Sequence, residues 1–203
     1  MTPVSITPCP RSTGVVFVSA GGGVATLRPL RSEEHAVLDA VFDGLSPASR
    51  YERYLTGLPQ LTVRMRTALT AIDGHTHIAW LGEIDGRPAA IGRLIRVARG
   101  TAEIAFEVID AHQGRGLGTA LLDTLVTVAS VSGIDRIQAT VLPSNHRSLR
   151  LLRSIGMTFR VEDGLLEGTA PVRLRDTPVV DRAAVVRLAL CAHVEGGWTA
   201  SSA

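Results

Sequence analysis

The chain has 203 residues, room for little more than one domain. Hydrophobic residues make up 45% and charged residues 20%, which excludes a disordered or collagen-like chain. Lys+Arg 21 against Asp+Glu 19 leaves +2, too weak a balance for a general nucleic-acid footprint.

The basic residues are all arginine, so any anion site has to be local, built from a few arginines or from backbone amides. Aromatic residues are scarce at 4%, which leaves Ala, Val, Leu and Ile to build the core. Cys9 and Cys191 form neither a disulfide framework nor a zinc pattern, and a reducing cytoplasm is the expected compartment. No apolar run approaches ~18 residues, so no transmembrane helix and no membrane partner are expected. The first fourteen residues, MTPVSITPCPRSTG, lack the apolar stretch of a signal peptide.

Residues 1–14 are rich in Pro, Ser and Thr and read as disordered. Val15 to Ser19 offers an extra strand before Gly21-Gly22-Gly23, and Ala25 to Leu30 reads as the first core strand. Ser32 is the candidate N-cap of a helix whose face is Val37, Leu38, Val41 and Phe42 and which stops at Gly44. Ser46-Pro47 starts a second helix, with Tyr51, Tyr54 and Leu55 on its apolar side, and Thr62 caps a third, running to Leu69. The period then changes. His77 to Ile84, Ala89 to Val97 and Thr101 to Ile109 read as an antiparallel meander turning at Asp85-Gly86 and Arg99-Gly100. Leu117 to Val131 is a long amphipathic helix ended by Gly133. Ile137 to Leu142 is a strand, and Asn145 to Ser154 a helix stopped by Gly156. Met157 to Val161 and Ala170 to Leu174 form a last hairpin, and Asp181 to Ala192 a C-terminal helix. Strands and helices in this order define a mixed α/β, α+β-like domain.

The segment that carries chemistry follows the third meander strand. Gln113-Gly114-Arg115-Gly116-Leu117-Gly118 runs straight into the long helix. Glycines without Cβ atoms expose backbone amides, and the helix start adds unpaired N–H groups and a positive dipole end, a combination that holds a pyrophosphate. Glycine spacing alone is also compatible with a plain tight connection. The loop lacks the Lys-Ser/Thr of a Walker A motif. Its G-x-G-x-G spacing, reached from a meander, differs from a dinucleotide fingerprint.

The stretch AEIAFEVIDAHQGRGLGTALLDTL resembles the acetyl-CoA-binding motif of the GNAT N-acetyltransferase superfamily, with Gln113 to Gly118 matching its Q/R-x-x-G-x-G/A loop. LPSNHRSLRLLRSIGM is similar to the family's next motif, in which an Asn opens a helix that ends in Gly-Phe. Asn145 fits, and Met157 stands in for the Phe. Gly44-Leu45-Ser46-Pro47, Ser49-Arg50-Tyr51 and Ala102-Glu103-Ile104-Ala105 resemble bacterial Pat-type protein lysine acetyltransferase domains. The resemblance covers about Ala25 to Leu174. It implies a GNAT fold with a central, mostly antiparallel, splayed sheet flanked by helices over residues 24–176. Residues 1–23 are then a flexible N-terminal segment, and 177–203 a C-terminal helix and tail.

The same resemblance implies the site. The pantetheine arm of acetyl-CoA pairs with the backbone of Phe106, Val108 and Ile109. Gln113, Gly114, Arg115, Gly116, Gly118 and Thr119 make the pyrophosphate loop, and Asn145 touches the arm while capping its helix. Acetyl transfer needs a neutral amine, and a lysine-like amine with pKa ~10.4 is almost wholly charged at pH 7, so a carboxylate must take its proton. Strand alternation puts Glu103, Ala105, Glu107 and Ile109 on one face, with Glu103 and Glu107 ~13 Å apart. Glu103 matches the catalytic glutamate of the protein-acetylating branch. Glu107, nearer the thioester, orients the amine or serves as a second base. Leu152 stands where many relatives carry a Tyr that protonates the leaving thiolate. His75 and His77 read as surface or acceptor-site residues with too few companions for a metal site. His112 reads as exposed, and Tyr51 and Tyr54 as helix packing. The implied function is acetyl-CoA-dependent transfer to a primary amine, a protein lysine before a small-molecule amine, by a monomer or homodimer. A non-catalytic acyl-CoA-binding or sensing module is the alternative.

Overall fold

A computed structural model describes residues 14–20 and 22–195 of the chain. The expected disorder of residues 1–14 falls almost wholly outside the described residues. Eight strands form one sheet in the order β1-β2-β3-β4-β5-β6-β8-β7. They are β1 (Val15–Val18), β2 (Val24–Pro29), β3 (His77–Ile84), β4 (Arg87–Ala98), β5 (Thr101–Val108), β6 (Arg136–Val141), β7 (Thr158–Glu162) and β8 (Leu165–Pro171). The helices are α1 (His35–Asp43), α2 (Pro47–Tyr54), α3 (Val63–Thr70), α4 (Leu117–Val131), α5 (His146–Arg153) and α6 (Arg182–Glu195). All strand pairs are antiparallel except β5 with β6. Strand β1 pairs with β2 from Val15↔Leu27 to Val18↔Val24, so part of the expected N-terminal segment belongs to the sheet.

The parallel pair is the feature that matters for function. β5 and β6 meet only at Thr101↔Arg136, Ala102↔Ile137 and Glu103↔Gln138. Beyond Glu103 they part, β5 staying with β4 as far as Val108 and β6 with β8 as far as Val141. The sheet therefore opens into a gap halfway along β5.

Each face of the sheet carries its own core. On one side Leu27, Trp80, Leu94 and Ile104 meet Leu121, Leu122 and Leu125 of α4 and Val185 and Leu188 of α6. On the other, Ala79, Leu81 and Ile91 lie under Leu38, Val41 and Phe42 of α1. Gly92 lets α4 approach β4, since a Cβ there would stand 2.8 Å from Leu125 Cδ1. The long helix is less one-sided than its pattern suggests: every residue from Ala120 to Ala129 is buried. The cause is α6, which covers the outer face of α4. Asp123, 1% exposed, accepts from Arg182 at 2.9 Å and from the Val179 and Val180 amides at 2.7 and 3.3 Å.

Two local expectations change. Ser32 does not cap α1; Glu34 takes the N-cap position, with its carboxylate on Arg28 and on the Arg31 amide. Strand β8 starts at Leu165, five residues before the expected Ala170. Asp163 and Gly164 both have positive φ, 48° and 79°, and close a two-residue turn that pairs Glu162 with Leu165 at once.

Candidate active site

The gap between β5 and β6 is the mouth of a cavity of about 230 Å³. Its walls come from β5 (Glu103 to Val108), β6 (Ala139, Thr140, Val141), α5 with its cap Asn145, and the α2 region. Backbone alternation explains why β5 is sticky there. The Ile109 amide donates to Ala89 O at 2.9 Å, so the odd-numbered residues of β5 bond to β4. The N–H and C=O groups of Phe106 and Val108 then face the gap, where β6 has already turned away. Val108 O accepts from Gln113 Nε2 at 3.2 Å. Ile109 differs from expectation: its amide is committed to Ala89, its carbonyl accepts from His112 N at 2.8 Å, and its side chain packs against Gly44.

At the end of β5 a 3-10 turn, Asp110–His112, leads into the glycine loop. Gly114 and Gly116 have φ of 75° and 89°, conformations that L side chains rarely adopt. Gly116 caps α4, whose first intrahelical bond runs from Ala120 N to Gly116 O at 3.0 Å. The amides of Leu117, Gly118 and Thr119 precede that bond and are free for an anion. Gly114 and Gly118 line the cavity; Arg115, Gly116 and Thr119 sit outside its wall. Asn145 caps α5, its Oδ1 accepting from Ser148 N at 3.0 Å, and also lines the cavity at 8% exposure.

Gln113 is a bridge across the mouth. It donates to Asp110 Oδ1 at 2.9 Å and accepts from Arg147 of α5. Asp110 in turn accepts from Ser46 N at 3.1 Å and Ser49 Oγ at 2.6 Å, which pins the start of α2 over the end of β5. Burial acts to raise the Asp110 pKa, but these serine donors outweigh it and hold the carboxyl below its usual value.

The carboxylates of β5 share a face, as alternation requires, yet have different surroundings. Glu103 is half-buried in the cavity wall, with no hydrogen-bond or ion-pair partner among the described residues. Glu107 is buried at 4% exposure, and its Oε2 accepts from Tyr54 Oη at 2.8 Å. Arg53 Nε lies 3.6 Å from Oε2 and Arg93 Nη2 lies 3.9 Å from Oε1, which has no hydrogen-bond partner. Burial, then the Glu107 charge, pushes the Tyr54 phenol well above its ordinary range. Sequence reasoning missed Arg93 and the Tyr54–Glu107 bond, and misjudged His77 and His112 as surface residues. Tyr54 is a hydrogen-bond donor to Glu107 as well as packing. His77 is buried, at 7% exposure, on Ala71 O and Arg93, and burial with the Arg93 charge lowers its pKa to about 4. His112 is half-buried in the cavity wall, and Leu152 lines the cavity at 1% exposure. Among the described residues no group of His, Cys, Asp and Glu is arranged to hold a metal, and no helix is long and apolar enough to cross a membrane.

The sheet thus splays at β5 and β6, with a strand edge that an extended arm could pair with and a glycine loop on a helix start that suits an anion. Residues 38–157 match the family model described as Acetyltransferase (GNAT) family, and the chain belongs to that family. It is 32% identical over 100 residues to Acetyltransferase Pat of Mycolicibacterium smegmatis, covering 47% of this chain and 30% of that one. The chain thus spans less than a third of that relative's length. The GNAT domain of S. lividans PAT superposes with a TM-score of 0.73 at 30% identity, covering 80% of this chain and 99% of that domain. A putative acetyltransferase from Salmonella typhimurium, solved with its cofactor acetyl-CoA, gives 0.61 at 21% identity over 76% of this chain and 97% of its own.

Proposed function

We propose that the protein transfers the acetyl group of acetyl-CoA to a primary amine, with a protein lysine as the favoured acceptor. The observation that carries this reading is the gap beyond Glu103, where the backbone of Phe106 and Val108, left by β6, leads to the glycine loop and a partner-free carboxylate lines the wall. Glu103 and Glu107, the loop Gln113–Gly118 with Thr119, and Asn145 are the residues assigned to the site. The arm lies along β5, with the pyrophosphate on the amides of Gly114, Gly118 and Thr119. The similarity to Pat supports the lysine acceptor, as does the resemblance of Ala102-Glu103-Ile104-Ala105 to the Ala-Glu motif of that group.

The reaction is a direct displacement. The amine enters under α2 and Glu103 takes a proton from it, directly or through water. A C–N bond forms, the C–S bond breaks, and the CoA thiolate leaves. Leu152 offers no hydroxyl to the sulfur, so the thiolate departs as the anion and takes its proton from solvent, which a thiol pKa of ~8.5 permits. Positioning then carries more of the rate than acid catalysis does.

The test is release of free thiol from acetyl-CoA against lysine peptides, polyamines and aminoglycosides. Turnover highest with lysine peptides is the expected result. Turnover confined to small amines would move the acceptor to that class. CoA binding with no thiol release from any amine would make the protein a sensing module.

A further inference from the structure

A side-chain bridge spans the mouth of the gap. Arg147, in the first turn of α5, donates to Gln113 Oε1 at the head of the glycine loop. Gln113 Nε2 in turn donates to Asp110 Oδ1 at 2.9 Å and to Val108 O at 3.2 Å. The Arg147 guanidinium thus stands beside the loop, on an exposed residue of the cavity wall. Val108 O faces the gap, so the bridge also occupies a carbonyl that an extended arm would use.

The fold alone does not call for this arginine. A positive charge in the first turn of a helix opposes the macrodipole, whose N-terminal end is itself positive. Among the described residues Arg147 forms no ion pair, and its hydrogen bond goes to a neutral carboxamide. The other arginine of the cavity wall, Arg53, is committed, its Nε lying 3.6 Å from Glu107 Oε2. Arg147 is the arginine of the wall left for a ligand.

The chemistry of that ligand follows from the loop. Backbone amides at the start of α4 offer dipoles and no net charge, and a molecule with a net charge of +2 adds little field. CoA carries several negative charges, on its pyrophosphate and its 3′-phosphate. A guanidinium beside the amides supplies a full positive charge, and its planar fork binds phosphate oxygens more strongly than a carboxamide oxygen.

We propose that Arg147 is a phosphate ligand of CoA: as the cofactor enters, the guanidinium exchanges Gln113 for a phosphate, and Gln113, released, turns off Val108 O to admit the arm. This rests on the placement of CoA in the gap given above and not on acetyl transfer itself.

The test is the dissociation constant of CoA and of dephospho-CoA, by calorimetry at low and at physiological salt. Arg147→Met should weaken CoA about 10- to 100-fold, the range for hydrogen bonds to a charged group, and should flatten the salt dependence because an ion pair is gone. Arg147→Lys, which keeps the charge and loses the fork, should recover part of the loss. Arg150→Met removes the same charge from the next turn of α5, outside the cavity wall, and should stay within about 2-fold of wild type. A loss shared by CoA and dephospho-CoA puts Arg147 on the pyrophosphate, and a loss confined to CoA puts it on the 3′-phosphate; either supports the proposal. A folded Arg147→Met protein with wild-type affinity for both overturns it. So does a loss with unchanged salt dependence, the mark of an arginine that only shapes the loop, or an equal loss in Arg150→Met, the mark of a general field. CoA bound by the wild type without thiol release from any amine would overturn the transferase reading alone, and a wild type that does not bind CoA would overturn both.

Discussion

At the scale of residues, two glutamates four positions apart on one strand face have different neighbours. Glu103 has an open carboxylate in the cavity wall, whereas Glu107 is tied to Tyr54, Arg53 and Arg93. Glu103→Gln keeps size and removes the base, so turnover at pH 7 should fall ~10²-fold or more with CoA affinity unchanged. The deficit should shrink as pH rises and amine deprotonates unaided; a pH–rate profile parallel to wild type would move the base elsewhere. Leu152→Tyr supplies the absent hydroxyl. A gain of at most ~10²-fold in rate is expected, set against ~1–3 kcal/mol of overpacking at a residue already 1% exposed. His77 gives a pH signature. Burial lowers its folded pKa from 6.5 to about 4, so its stabilising contribution is complete above pH 6.5 and is lost as pH falls toward 4, where the unfolded chain binds the proton first. Denaturant midpoints at pH 7 and pH 5 should differ less in His77→Gln than in wild type. That Glu103 and Glu107 share one face of β5 was legible because alternation is local. The Tyr54–Glu107 bond joins residues 53 positions apart and was not. Its one sequence trace is Arg93, a lone charge inside Ala-Ala-Ile-Gly-Arg-Leu-Ile, since a buried strand arginine must find partners.

At the scale of elements, β3 and α4 have the bounds their patterns gave, because each has a clear period and a glycine-bearing turn at its end. β8 and the start of α1 do not. A two-residue turn and an arginine–carboxylate cluster decide them, and both depend on tertiary partners. The α4 start offers the cleanest test of the anion loop. Gly116 sits at φ 89°, so any side chain there strains the backbone, but Gly118 is helical and lines the cavity. Gly118→Val should weaken CoA binding about 10-fold or more by calorimetry while the helix persists, because its methyls occupy the path of the pyrophosphate. At the far side of α4, Asp123→Ala removes the anchor of α6. It should destabilise by roughly 1–3 kcal/mol, since it leaves Arg182 and two amides without their acceptor. Hydrogen exchange should quicken in α6 before β4 and β5. Uniform loss of protection would mean that α6 is integral to the core and not latched onto it.

At the scale of the whole molecule, a net charge of +2 leaves no general field, so recognition depends on the cavity walls. The chain holds arginine and no lysine, so any acetyl-lysine found in a reaction belongs to the acceptor and not to the enzyme. That property makes the decisive measurement clean. Wild-type protein and Glu103→Gln are incubated at pH 7 with acetyl-CoA and a lysine peptide, and free thiol and acetylated peptide are followed together. Stoichiometric appearance of both with wild type, and a loss of ~10²-fold in the variant with CoA still bound, is the predicted result. CoA binding without acetylated peptide in wild type, or equal rates in the two proteins, would contradict a transferase that uses Glu103 in the gap between β5 and β6.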